Sequence, residues 1–150
     1  MGNLIYSAIA SLDGYIEDKQ GGFESADAIP DRSPAERDFT TIWKGAEKIV
    51  FSRSLDNVSS ARTRIEREFD PGSVRRLKTA TDYDITVSGA ELAERAITSG
   101  LVDELQLLTV PILVGGGKRW LPDGIWSDLE LLDTRRFGNG VVFLRYRVNP

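Results

Sequence analysis

The turn at residues 87–91 has the residue types best suited to holding a charged ligand in this 150-residue sequence. The β-branched stretch 84–87 predicts a strand, and residues from Ala90 to about Ser99 predict a helix. In an open α/β sheet ligands bind beyond the carboxyl ends of the strands, and a helix start offers unpaired N–H groups and a positive dipole end. The small pair Ser88 and Gly89 therefore predicts a phosphate site. Gly89 could instead serve only to make a tight turn, and the glycine-rich dinucleotide fingerprint is absent.

A second candidate site follows a predicted core strand at residues 48–52. Ser52, Arg53 and Ser54 place a guanidinium and two hydroxyls at the carboxyl end of that strand. Such groups suit a phosphate, for example the 2′-phosphate that separates NADP from NAD. The alternative interpretation is a surface arginine beside a turn.

The third candidate is the segment 11–16, which follows the first predicted strand. Gly14 stands between the carboxylate of Asp13 and the ring of Tyr15, and this combination could border a flat aromatic ligand. The alternative is a polar turn in which Asp13 hydrogen-bonds its own backbone.

A fourth segment, 114–118, contains three consecutive glycines. It lacks the spacing and the following Ser or Thr of a phosphate loop. We predict a flexible connection between two strands that borders the same cleft.

The residue types that are missing exclude several kinds of chemistry. The sequence has no cysteine and no histidine. This excludes disulfides, thiol nucleophiles, Ser-His-Asp and Cys-His catalysis, and most zinc or transition-metal sites, so we predict no metal site. A net charge of -4 with scattered basic residues argues against nucleic acid as a partner. With no apolar run able to span a membrane and no signal-peptide pattern, we predict a cytoplasmic protein without membrane contact.

Alternating strands and helices must position these turns. The pattern predicts further elements, which are a strand at 4–10, helices at 33–45 and from 70, an extended piece at 61–65, a strand, bend and strand across 105–114, and a hairpin of 129–137 with 141–148. In the helix from 70, Lys78 is predicted to face outward. Alternation implies parallel strands with helices on the faces, whereas the hairpin implies an antiparallel edge. We therefore predict one α/β domain, residues 1–150, with a mixed, twisted sheet flanked by helices and an antiparallel C-terminal hairpin.

Six short motifs occur in the order typical of one known family. They are SLDGYI at 11–16, VFSRSL at 50–55, VSGAELA at 87–93, GLVDEL at 100–105, PILVGGG at 111–117 and RFGNGVV at 136–142. The set resembles the dihydrofolate-reductase-like family that includes the reductase domain of the bifunctional riboflavin-biosynthesis deaminase-reductase. The resemblance covers nearly the whole chain. It implies a dihydrofolate-reductase-type sheet, NADPH as hydride donor, and a homodimer.

The resemblance also implies roles for particular residues. Ala8, Gly14 and Tyr15 would line the nicotinamide side. Ser52 and Arg53 would meet the adenosine phosphate region. The pyrophosphate would be wrapped by the residues of the strand-to-helix turn, which are Val87, Ser88, Gly89, Ala90, Glu91 and Leu92. The implied substrate is a pyrimidine- or pterin-like small molecule, as in a 5-amino-6-(5-phosphoribosylamino)uracil reductase, and the proton would come from Asp13 or from water.

The chain departs from this family near Phe23 and Glu24. Members carry a helix and a strand between the first strand and the segment resembling 24–55. In this chain Phe23 runs directly into the segment that begins at Glu24, with no such helix and strand between them. We predict that one helix and one strand are missing after residue 23, by deletion or by omission from the chain. The loss would remove one wall of the substrate cleft and part of the cofactor site. Two alternatives therefore stay open: a nucleotide-binding or oligomeric module without catalysis, and a structural dimer formed through 105–114, Trp120 and Trp126.

Overall fold

The computed structural model describes residues 1–20, 42 and 44–150. The chain forms two compact units, one of Met1–Ala26 with Pro71–Pro150 and the other of Asp27–Asp70. The helix predicted at 33–45 lies mostly outside the described residues, and the junction after residue 23 lies wholly outside them. The single reductase-like domain over 1–150 stays a prediction. No helix in the described ranges is long and apolar enough to cross a membrane.

Among the described residues, strands and helices alternate from residue 63 to residue 110, and the three strands after residue 110 have no helix between them. The strands are β1 (Leu4–Ser11), β2 (Tyr15–Glu17), β3 (Lys48–Phe51), β4 (Thr63–Glu66), β5 (Ile85–Val87), β6 (Glu104–Val110), β7 (Lys118–Arg119), β8 (Leu129–Arg136) and β9 (Val142–Val148). The two helices with both ends described are α1 (Pro71–Ala80) and α2 (Ala90–Thr98).

The larger unit is built on a five-stranded sheet with the order β5-β1-β6-β9-β8. β5 and β6 both pair with β1 in parallel, and β9 pairs antiparallel with β6 and with β8. Parallel neighbours need crossover connections, and α2 lies in the connection from β5 to β6. The predicted mixed α/β sheet with an antiparallel C-terminal hairpin is confirmed.

Burial on both faces of β1 organises the core of this sheet. Leu4, Ile5 and Tyr6 are consecutive and all buried, as expected of a central strand whose two faces are covered. Ala93 and Ala96 of α2 are fully buried. The core is completed by Ala10, Val87, Leu101, Val102, Leu105 and Val110.

The C-terminus of α2 has a defined hydrogen-bond pattern. The Gly100 N–H donates to the Ile97 carbonyl at 2.9 Å, and the Leu101 N–H donates to the Ala96 carbonyl at 2.9 Å. These two bonds form a Schellman motif, which satisfies carbonyls that the helix end leaves free. Because the motif fixes the chain direction, Leu101 enters the core and β6 begins at Glu104. The predicted extent of this helix, from Ala90 to about Ser99, is confirmed.

α1 holds Lys78 in an orientation opposite to the predicted one. Lys78 is buried, and its Nζ lies 2.6 Å from Asp103 Oδ2 and donates to the Leu101 carbonyl at 2.8 Å. Asp103 Oδ2 also accepts the Leu4 N–H at 2.7 Å. The outward prediction is wrong because a carboxylate and a carbonyl together satisfy a buried ammonium. Helical periodicity does not reveal such partners.

The segment 105–114 differs from the predicted strand, bend and strand. β6 ends at Val110, and residues 111–114 are not in a strand. The Ile112 N–H donates back to the Val110 carbonyl at 2.9 Å, while the Ile112 carbonyl accepts the Leu12 N–H at 3.0 Å. The second strand is wrong because the chain turns at Pro111 and bonds to the end of β1 instead.

The smaller unit contains a two-stranded parallel sheet of β3 and β4. The rings of Phe51 and Phe69 meet edge to face with their centroids 5.6 Å apart. The strand predicted at 48–52 and the extended piece predicted at 61–65 are therefore both present. β3 is only half-buried and pairs with β4, so the prediction of a buried core strand at 48–52 is wrong.

Candidate functional site

The strand-to-helix turn at residues 87–91 has the predicted conformation. β5 ends at the buried Val87, and α2 begins at Ala90 with Gly89 as its N-cap residue. Gly89 has a φ of +88°, which favours glycine, and a Cβ added there would meet no atom within 4 Å. No side chain caps this helix end. The exposed Ser88 and Gly89 therefore leave the first amides of α2 open to an outside acceptor.

A cleft of about 420 Å³ opens beside the start of α2. Its lining residues come from α2 and from the segment around β7, and they are Ala90, Glu91, Glu94, Lys118, Arg119, Leu121, Pro122 and Asp123. Two cations and three carboxylates thus share one cleft. Lys118 belongs to the segment 114–118, which was predicted to border the cleft, whereas Arg119 was not among the residues predicted from the sequence.

The charged side chains of the cleft form long, exposed ion pairs. Lys118 Nζ lies 3.4 Å from Glu91 Oε1, and Arg119 Nη1 lies 4.0 Å from Asp123 Oδ1. Exposed pairs of this kind contribute about 0–1 kcal/mol. A diphosphate, which carries two negative charges, can therefore compete with these carboxylates for either cation.

Pairing between β2 and β7 brings Gly14 and Tyr15 to the same segment as these cations. In this short antiparallel ladder Tyr15 faces Arg119. The Arg119 guanidinium carbon lies 5.8 Å from the centre of the Tyr15 ring, within the range of a cation–π contact. The Trp120 N–H donates to the Gly14 carbonyl at 3.1 Å. The structure therefore joins two predicted nicotinamide-side residues to one wall of the cleft.

Tyr6 of β1 holds Trp120 in position through a hydrogen bond and a ring contact. The Tyr6 hydroxyl donates to the Trp120 carbonyl at 2.8 Å, and the two ring centroids are 5.9 Å apart. Burial raises the pKa of Tyr6 to about 12, so its hydroxyl stays protonated and keeps this bond at physiological pH. Ala8, also on β1, is half-buried and paired with Leu107.

The Asp13 carboxylate is held by three hydrogen-bond donors. Oδ1 accepts from Ser11 Oγ at 2.6 Å and from the Val114 N–H at 3.1 Å, and Oδ2 accepts from the Gly115 N–H at 2.8 Å. The Ser11 hydroxyl, followed by the Gly115 amide, lowers the pKa of Asp13 from 3.8 to about 2. Asp13 is therefore ionised at neutral pH and has no proton to donate there. Besides Ser11 in its own turn, Asp13 contacts Val114 and Gly115, which are separated from it by 101 and 102 positions in the sequence.

The glycine segment 115–117 runs close to the end of β2. A Cβ on Gly117, whose φ is +134°, would collide with the Glu17 carbonyl oxygen. A Cβ on Gly116 would lie 2.6 Å from the Lys19 side chain. Glycine is thus required for a close approach to protein backbone, in agreement with a connection segment rather than a phosphate loop.

Ser52 and Arg53 lie in the smaller unit, after β3. Ser52 Oγ accepts the Leu55 N–H at 3.1 Å, and the Arg67 guanidinium donates to the carbonyls of Ser52 and Leu55 at 3.0 and 2.6 Å. Arg53 is exposed and lies 3.4 Å from Glu68. The two residues stand at the carboxyl end of a strand, as predicted, and their phosphate-binding role stays a prediction.

The mixed sheet, the crossover helix α2 and the C-terminal hairpin define a protein with the dihydrofolate reductase fold. The family model described as the RibD C-terminal domain matches residues 27–143, and the chain belongs to that family. The putative riboflavin biosynthesis protein from Shewanella sp. PV-4 has the same fold, with a TM-score of 0.77, 16% identity and 100% of both chains covered. Dihydrofolate reductase from Enterococcus faecalis, solved with NADP(H), shares it with a TM-score of 0.61 and 12% identity over 99% of this chain and 98% of that one.

The chain is also similar to the uncharacterized protein YyaP of Bacillus subtilis (strain 168). The two are 28% identical over 179 residues, which cover 97% of this chain and 95% of YyaP. That alignment is longer than this 150-residue chain by 29 positions, so at least 29 positions of YyaP have no counterpart here. A difference of this size agrees with the predicted loss of one helix and one strand.

Proposed function

We propose that this chain is an NADPH-dependent reductase of a pyrimidine- or pterin-like small molecule, of the riboflavin-biosynthesis reductase type. Membership of the RibD C-terminal domain family supports the reaction type. The Shewanella relative, a putative riboflavin biosynthesis protein, supports the pathway, and the Enterococcus enzyme with NADP(H) supports the cofactor. The observation that carries the proposal is the uncapped start of α2 beside Lys118, at a cleft of about 420 Å³.

The residues of this cleft fit the pyrophosphate of NADPH. The amides of Ala90, Glu91 and Leu92 are the first of α2, where the helix dipole favours an anion. Gly89 leaves room for close approach to the backbone. Lys118 adds a cation whose bond to Glu91 is weak enough to exchange.

NADPH, when bound, supplies a hydride to an electron-poor ring or carbonyl. The chain's own residues bind and orient the reactants. Gly14 and Tyr15 would border the nicotinamide side, held there by Trp120 and Arg119. Of the two predicted proton sources, water fits better, because Asp13 is ionised at neutral pH.

Steady-state NADPH oxidation with pyrimidine and pterin substrates tests this proposal, with NADPH affinity measured in parallel by fluorescence titration. We expect NADPH binding and turnover of one substrate class. Lys118→Gln should weaken NADPH binding, whereas the control Arg147→Gln should not, because Arg147 pairs with Glu130 on another part of the sheet. A wild-type protein that does not bind NADPH would overturn the cofactor assignment.

A second candidate function is a nucleotide-binding module that has lost catalysis. The observation that favours it is the alignment with YyaP, in which at least 29 positions have no counterpart in this chain. The same assays separate the two functions. NADPH binding without turnover of any tested substrate would favour the module.

We also propose that the protein is a cytoplasmic homodimer. Support for the dimer comes from β8, one of the two edge strands of the five-stranded sheet, where Leu129 and Leu131 are 43% and 52% exposed. An edge strand with exposed leucines offers a surface for a second copy. Light scattering would give the mass of a dimer for the wild type and of a monomer for Leu131→Lys. A monomeric wild type at working concentration would contradict this assembly.

A further inference from the structure

Three parts of the larger unit meet at the carboxylate of Asp13. Ser11, at the end of β1, donates its hydroxyl to Oδ1, and the same hydroxyl oxygen accepts the Tyr15 N–H at 3.0 Å. On the other side, the carboxylate accepts the N–H groups of Val114 and Gly115. We call this set of bonds from Ser11, Val114 and Gly115 the Asp13 clamp. It joins the turn before β2 to the segment before β7.

The Asp13 clamp lies close to the cationic residues of the cleft along the chain. Gly115 precedes Lys118 by three positions, and Gly116 and Gly117 between them run tightly against the end of β2. β7 is only the two residues Lys118 and Arg119. A strand this short has few ladder bonds of its own, so the position of its side chains depends on how the preceding segment is fixed.

We propose that Asp13 is a positioning residue that places Lys118 and Arg119 at the mouth of the cleft through the amides of Val114 and Gly115. The inference rests on the proposed cofactor site and adds to it a residue that acts on cofactor affinity through other residues. Hydrogen bonds to a charged carboxylate are stronger than hydrogen bonds between two neutral groups. Two of the three bonds, from the amides of Val114 and Gly115, hold the segment before β7 against the turn that contains Asp13.

The hydrogen bonds also distinguish this role from a catalytic one. A general acid must hold a proton near its reacting partner, whereas both oxygens of Asp13 accept bonds from the protein. The low pKa of the carboxyl agrees with a group that is stabilised as an anion. Removing the charge should therefore change how well NADPH binds rather than how fast bound NADPH reacts.

Asp13→Asn tests the proposal because it keeps the shape of the side chain. The asparagine amide nitrogen is a donor, so it would face one of the N–H or O–H groups that now donate to the carboxylate. At least one hydrogen bond of the Asp13 clamp would therefore be lost. We expect the NADPH dissociation constant to rise roughly tenfold. The turnover number at saturating NADPH should stay within about twofold, whereas loss of a general acid would reduce it by about 100-fold or more. The matched control is Asp82→Asn, at an exposed aspartate paired with the N-terminus.

A double-mutant cycle with Lys118→Gln shows whether Asp13 acts through Lys118. If it does, Asp13→Asn should weaken NADPH binding less in the Lys118→Gln background than in the wild type, because the two changes remove a shared interaction. Additive losses, or a large fall in turnover at saturating NADPH, would overturn the positioning role. Equal NADPH affinity of wild type and Asp13→Asn would overturn it as well, while leaving the proposed function intact. A wild type without NADPH affinity would instead overturn the proposed function and the cofactor role of Asp13 together.

Amide hydrogen exchange in the wild type gives a second test that needs no variant. If Asp13→Asn does not fold, this measurement decides whether the Asp13 clamp forms in solution. Exchange at Val114 and Gly115 slowed to the range of β6 amides would support the Asp13 clamp. Free exchange at both amides would overturn it.

Discussion

Replacing Glu91 with glutamine should tighten NADPH binding and at the same time weaken α2. Glu91 is 87% exposed, and its carboxylate lies 3.4 Å from the Lys118 ammonium, which is 41% exposed. At the proposed site this carboxylate would compete with a cofactor phosphate for Lys118 and would repel that phosphate directly. Because Glu91 is also in the first turn of α2, its charge stabilises the helix dipole. The substitution therefore has two effects of opposite sign.

The size of both effects follows from this exposure. Two unit charges at 3.4 Å attract by about 1 kcal/mol in bulk water, and measured exposed pairs contribute about 0–1 kcal/mol. Glu91→Gln frees Lys118 and removes a repulsion of similar size between residue 91 and the cofactor phosphate. We therefore predict that NADPH affinity rises about three- to tenfold. Loss of the charge from the helix start should lower the free energy of unfolding by about 0.3–1 kcal/mol.

Fluorescence titration of NADPH at low and high salt, with chemical denaturation alongside, measures both effects. The gain in affinity should shrink at high salt, because exposed charges are screened. Glu130→Gln is the matched control, since its partner Arg147 lies 2.7 Å away on β9, and it should leave NADPH affinity unchanged. Unchanged or weaker binding by Glu91→Gln would show that the cofactor phosphates do not lie at Lys118.

Two further predictions concern stability. Lys78→Ala leaves Asp103 with only part of its hydrogen bonding. The substitution should lower the free energy of unfolding, measured by urea denaturation, by about 2–4 kcal/mol. A loss no larger than that of the exposed control Arg76→Ala would contradict the buried ion pair. Folding lowers the pKa of Asp13 from 3.8 to about 2, so its stabilising contribution is present above pH 3.8 and is lost as the pH falls through about 2. The urea midpoint should therefore fall more steeply across this window in the wild type than in Asp13→Asn, and parallel curves would contradict the Asp13 clamp.

Local pattern was sufficient to predict the elements around the turn at 87–91. Alternating apolar stretches, Gly89 before the helix and Gly100 after it specify a strand, a turn and a helix through short-range geometry. Six motifs in order predicted the family, which the match over residues 27–143 confirms. The C-terminal hairpin followed from its central Gly-Asn-Gly turn in the same way.

Contacts between distant residues could not be predicted from local pattern. Lys78 is buried because Asp103, 25 residues later, neutralises it, and helical periodicity assigns a lysine to the outer face. Lys118 lies 3.4 Å from Glu91, which is 27 residues earlier in the chain. Asp13 was predicted to be a proton donor or a local turn residue. Neither interpretation includes its contacts with Val114 and Gly115, which are distant in the sequence. A basic pair directly after a glycine connection was the available signal for Lys118 and Arg119.

A crystal structure of this chain with NADPH bound would test the proposed cofactor site most directly. We predict the pyrophosphate at the first turn of α2, accepting hydrogen bonds from the amides that follow Gly89, with Lys118 directed toward it. The ion pair between Lys118 and Glu91 should then be broken or lengthened beyond its present 3.4 Å. NADPH bound elsewhere, with α2 and Lys118 unchanged, would contradict this site.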